Sequence, residues 1–101
     1  MANTKIEVQP KPIQFVLTRG VSDLALHEGL IAYLFRIAIQ NFIKGEYMTT
    51  FSPDGINLQI GDGNKTIHTD INSYGLKERL WCIIDDYGPY YVATLLLPDE
   101  Y

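Results

Sequence analysis

The sequence predicts an α+β domain: one long buried helix over residues 22–44, packed on an antiparallel, largely meander sheet of about five to six strands. Three observations predict it. Residues 22–44 form the one long apolar segment, with helix punctuation at both ends. The chain after Gly45 breaks into short β-favouring runs separated by Gly, Pro, Asn and Asp. The chain is 101 residues long, enough for one domain and one core.

The helix is expected to start at Ser22, whose hydroxyl suits an N-cap, with Asp23 at the positive end of the dipole. Val21 and Leu26 are placed to form a hydrophobic staple. Lys44 suits the negative end, and Gly45 the left-handed stop. Leu26, Leu30, Leu34 and Ile37 make one apolar stripe, and Ile31, Phe35, Ala38 and Phe42 a second. Only Arg36, Gln40, Lys44 and part of the first turn remain polar, so the helix needs cover on more than one side. The second stripe leaves a homodimer interface open. Gly29 inside the helix implies a slight bend or the close approach of another backbone. The run 30–39 is shorter than the roughly 20 apolar residues of a membrane span, and Arg36 interrupts it.

Ahead of the helix, residues 1–12 read as an extended N-terminal arm because Pro10 and Pro12 disfavour pairing. The domain proper is 13–101. It opens with a strand over 13–18, expected to join the sheet beside a sequence neighbour. Residues 46–51 form the next strand. Ser52-Pro53-Asp54-Gly55 fits a type I turn. Ile56, Leu58 and Ile60 alternate inward against Asn57 and Gln59. Residues 61–64 turn the chain, and 65–69 return with Ile67 inward. Residues 76–85 read as a strand, or as one helical turn leading into a strand. Residues 90–97 form the clearest strand, which Pro98 ends before an acidic tail.

Composition narrows the function. Net charge is −4, which argues against phosphate-backbone binding and permits docking on a basic partner. The single cysteine, Cys82, excludes an internal disulfide and fits a reducing compartment. The N-terminus lacks the basic, apolar and small-residue succession of a signal peptide, so a cytoplasmic protein is expected.

No catalytic constellation emerges. Cys82 lies between Trp81 and Ile83, as a buried strand cysteine would. His27 reads as an exposed first-turn residue, and His68 as the wet side of a hairpin. A small enzyme or ligand binder using Cys82, His27 or His68 is the alternative. Asp62, Asn64 and Thr66 alternate like calcium ligands, but the twelfth position of such a loop is Ser73 rather than glutamate, so a polar hairpin tip is expected. Arg19 and Gly20 precede the helix without the motif of a phosphate loop. Asp85 and Asp86 are adjacent in a strand and point to opposite faces, which suits them poorly for sharing a proton. No metal or cofactor is expected.

The remaining feature is acid mixed with tyrosine near the C-terminus. Asp85, Asp86, Tyr87, Tyr91, Asp99, Glu100 and Tyr101 are the candidate contact residues for a protein partner with a basic surface. Tyr90 and Tyr91 should divide, one facing the core and one facing out. The competing reading makes the tyrosines core and the acids solubilising.

Val16-Leu17-Thr18-Arg19-Gly20-Val21, Trp81 to Tyr87 with Ile84-Asp85-Asp86-Tyr87, and the closing Leu95 to Tyr101 resemble a family of small bacterial proteins of unknown function found on plasmids and in prophages. The resemblance implies an accessory protein of bacteria or mobile elements and transfers no site residues. The expectation is therefore a non-enzymatic, acidic protein-binding domain: a phage or plasmid anti-defence inhibitor that blocks the basic surface of a host nuclease complex. The alternative binding role is a toxin-immunity protein.

Overall fold

The computed structural model describes residues 8–101 and has two layers, helices on one face of a six-stranded sheet. The strands are β1 (Ile13–Leu17), β2 (Met48–Asp54), β3 (Asn57–Gly61), β4 (Thr66–Ile71), β5 (Leu80–Asp86) and β6 (Tyr91–Leu96). The helices are α1 (Arg19–Asp23) and α2 (Glu28–Ile43), and a 3₁₀ turn over Pro98–Glu100 closes the chain. The expected α+β class is what the structure has. Residues 1–7 of the expected arm lie outside the described residues. In the rest of the arm, the Gln9 amide donates to Tyr91 Oη at 2.7 Å, and the Tyr91 amide donates to the Pro12 carbonyl.

The expected single helix is two. Thr18, not Ser22, caps the first: its Oγ1 accepts from the Val21 amide at 3.3 Å. After Asp23 the chain leaves the helical path, with Ala25 at φ 50°. That left-handed conformation costs an alanine roughly 1–2 kcal/mol. His27 then caps α2, its Nδ1 accepting from the Gly29 amide at 2.9 Å. The break separates α1, which lies against β1 and β6, from α2, which lies chiefly over β5 and β2. Gly45, at φ 107°, ends α2 as expected. The neighbour that crowds Gly29 is a side chain rather than a backbone: a Cβ there would lie 2.5 Å from Tyr74 Oη.

The strand order is β1-β6-β5-β2-β3-β4, and the sheet is mixed. β1 runs parallel to β6, and every other pairing is antiparallel. β1 joins the sheet beside the last strand, not beside its successor. Following the pairings, β1 and β2 point the same way, with α1 and α2 forming their crossover. The hairpin β5–β6 fills the gap left between them. The meander is confined to β2–β3–β4.

Two local expectations change with the register. Asp54 pairs with Asn57, so the β2–β3 turn is Gly55-Ile56, with Gly55 at φ 62° in the first central position of a II′-like hairpin. Ser52 and Pro53 belong to β2, which β5 no longer flanks at Pro53. Ile56 therefore sits at the turn, 80% exposed, while Leu58 and Ile60 point inward as expected. Ile67 is exposed rather than inward, because it lies in the edge strand β4 beside an irregularity at Ile60/Gly61. Residues 76–79 are neither strand nor helix, although Leu76 is buried.

The core lies between α2 and the sheet. Leu30, Leu34, Phe35, Ala38 and Phe42 meet Phe51, Leu58, Ile60, Leu80, Cys82, Ile84, Tyr91, Ala93 and Leu95. Fully burying a large apolar side chain contributes roughly 1.5–3 kcal/mol. The buried polar pair is satisfied internally, with Asn41 Nδ2 donating to Thr49 Oγ1 at 3.1 Å.

Candidate interaction surfaces

The acid–tyrosine cluster does not stay together in space. Asp85, Asp86 and Tyr87 lie at the turn of the β5–β6 hairpin, whereas Asp99, Glu100 and Tyr101 follow its open end. In the ladder, Asp86 opposes Tyr91 and Trp81 opposes Leu96. Those two rungs are five residues apart, about 17 Å along the strand.

At the hairpin turn, Asp85 is exposed and shares the open sheet face with Ile83, while Asp86 lies on the helix side with Tyr91. Asp86 is already engaged. Its Oδ1 accepts from Lys11 Nζ at 2.6 Å and from the Gly88 amide at 2.8 Å, and these bonds lower its pKa. Tyr87 is 59% exposed and stacks on Tyr90 at 5.8 Å. Tyr91, expected at the contact surface, is 2% exposed. Its ring meets Phe42 edge-on at 5.2 Å, and Lys11 Nζ sits 4.4 Å from its centroid. The tyrosines do divide across the strand, but Tyr91 is the inward one and has no surface to offer.

At the other end, Glu100 is a clasp. Its Oε1 accepts from Thr18 Oγ1 at 2.6 Å and from the Leu97 amide at 2.8 Å, and its Oε2 from the Gly20 amide at 3.1 Å. The Thr18 bond is the largest cause of its lowered pKa, followed by the Leu97 amide. The acidic tail is thus a 3₁₀ turn tied to the start of α1. Asp99 is exposed, and the exposed Tyr101 ring packs edge-on against Trp81 at 5.6 Å.

Cys82 is buried in β5, and burial pushes its thiol up to about 12. His68 is three strands away in β4, about 14 Å at ordinary strand spacing. His27 spends Nδ1 on its cap. Asp62 Oδ1 accepts from the Asn64 and Lys65 amides, which makes that loop a closed Asx turn and lowers the Asp62 pKa. Among the described residues no group of three or more His, Cys, Asp or Glu could hold a metal ion. No described helix is long and apolar enough to cross a membrane.

Two further surfaces stand out, the first not singled out from the sequence and the second including Ile31 and Phe35 of the second apolar stripe. One is a polar groove of about 280 Å³ on the sheet face away from the helices, lined by Thr50, Ser52, Gln59, Lys65, Arg79 and Trp81 among others. Period-2 alternation along β2 already places Thr50 and Ser52 on one face, a signal that points to it. The other is an apolar groove of about 570 Å³ between β1 and the flank of α2.

Among the described residues, these features define a one-sided α+β domain with an open sheet face and an uncovered helix flank. No family model, curated protein sequence or solved structure matches the chain.

Proposed function

We propose that the protein is a non-enzymatic binding module that docks on a basic surface of a protein partner through the turn of the β5–β6 hairpin. One observation carries the proposal: the Tyr87–Tyr90 stack, with Tyr87 largely exposed, lies at the same hairpin turn as the exposed carboxylate of Asp85, two residues before Tyr87. Stacked tyrosines give contact area with few rotors to freeze, and a carboxylate on the rim selects an Arg- or Lys-rich partner. Among the described residues, Asp85 has no cation in salt-bridge contact, whereas Asp86 is held by Lys11. The contact set is thus narrower than the sequence alone suggests: Asp85, Tyr87 and Tyr90, with Asp86 stiffening the turn. In its specific form, the partner is the basic nucleic-acid channel of a bacterial defence nuclease, and the protein is a blocker carried by a plasmid or phage.

The experiment compares partner capture by the native protein, Tyr87→Ala and Asp85→Lys, with Asp99→Lys as a control at the far end. Truncating a central tyrosine costs about 2 kcal/mol, roughly 30-fold in affinity. Binding of the native protein should also weaken with salt. Equal affinity for the Tyr87→Ala and native proteins would remove the hairpin turn from the function.

A further inference from the structure

The flank of α2 above β1 is apolar and uncovered among the described residues. Ile31, Phe35 and Ile39 wall the groove on one side and Phe15 on the other. Phe15 is 54% exposed although its ring lies 4.8 Å from Phe35. Apolar patches rimmed by charge mark contact surfaces. Two charges stand on this rim, Glu28 and Arg36, and Ala32 lies midway between them. The three follow one another at i, i+4 spacing along one helix flank.

That pattern is its own complement under a two-fold axis. We infer that the groove receives a second copy of this chain, with the two α2 helices antiparallel and the axis passing through Ala32. Glu28 then meets the partner's Arg36, and Arg36 meets the partner's Glu28. Alanine at the crossing allows the helices to approach to about 8–10 Å. Phe15, Ile31, Phe35 and Ile39 become the apolar centre of an isologous contact. Antiparallel packing also sets opposite helix dipoles side by side. A uniformly basic partner fits worse, because Arg36 would face like charge. Edge-to-edge pairing of β1 strands is the competing geometry, and it leaves Glu28 and Arg36 apart.

The test is the solution mass of the full chain across a concentration series, for the native protein, Glu28→Arg, Arg36→Glu and the double exchange. The expected native mass is twice the 11.5 kDa of one chain. Each single reversal should weaken association at least about tenfold, since it opposes like charges twice, and the double exchange should restore it. All three variants alter exposed side chains only, so folding is retained. Ala32→Cys should cross-link as a dimer on mild oxidation, with the buried Cys82 silent, and Val16→Cys should not. A monomer at every concentration overturns the inference. So does a dimer that ignores the single reversals, or one that cross-links through Val16→Cys instead.

Discussion

At the scale of residues, the fold assigns roles that a residue's type does not reveal. Asp85 and Asp86 are chemically alike and adjacent. One faces solvent, and the other is fixed between Lys11 and the hairpin turn. His27 caps a helix, its Nδ1 accepting from the Gly29 amide, a role that a histidine's type does not announce. Gly61 shows the same dependence on neighbours. A Cβ at this position would lie 2.6 Å from the Lys65 carbonyl oxygen and 2.7 Å from Thr50 Oγ1. The Lys65 carbonyl is backbone, held by the Asp62 amide, so it cannot swing aside. Gly61→Ala should therefore lower the unfolding free energy by about 1–3 kcal/mol, as overpacking does. Urea denaturation measures it, and an unchanged midpoint would mean that the β3–β4 bulge relaxes freely.

At the scale of elements, the junctions decide the shape. The C-terminal 3₁₀ turn is joined to the start of α1 by one carboxylate, Glu100, which reaches three donors. Its folded pKa lies below its ordinary value. The unfolded state therefore binds the proton more readily, and acid disfavours the native clasp. The contribution is present above the unfolded pKa of about 4.3 and is lost as pH falls through the depressed folded value. Glu100→Gln should be less stable than the native protein at pH 7, with the gap closing as the solution is acidified below pH 4. Denaturant titrations of both proteins at a series of pH values read the gap directly. A gap independent of pH would assign the effect to shape rather than charge.

At the scale of the whole molecule, the chain completes its sheet by returning to its beginning. β5 and β6 enter between β1 and β2, so the last two strands of the chain lie inside the sheet rather than at its edge. Cys82 lies in β5, paired to Thr49 on one side and Leu95 on the other. Reaching its thiol requires opening the centre of the sheet. Thiol labelling at pH 8 should therefore be slow in the native protein, fast in denaturant, and set by the global unfolding free energy in between. Fast native labelling would show that the hairpin detaches on its own, and would return Cys82 to consideration as a reactive group.

The α+β class, the Gly45 stop, the inward set Leu30, Leu34, Leu58 and Ile60, the burial of Cys82 and the division of Tyr90 from Tyr91 were all legible in the amino-acid order. Each follows from a period of 3.6 or 2, or from a residue's own backbone preference, and so acts within a few positions. Tertiary structure alone decided the break at Ala25, the place of β1 beside β6, the inward choice of Tyr91 and the separation of the C-terminal acids. Strand partnership and carboxylate partnership are contacts over long sequence distances, as the 82 positions between Thr18 and Glu100 illustrate. Such contacts form only where the packed core leaves an edge or a donor free, and local pattern carries no record of that.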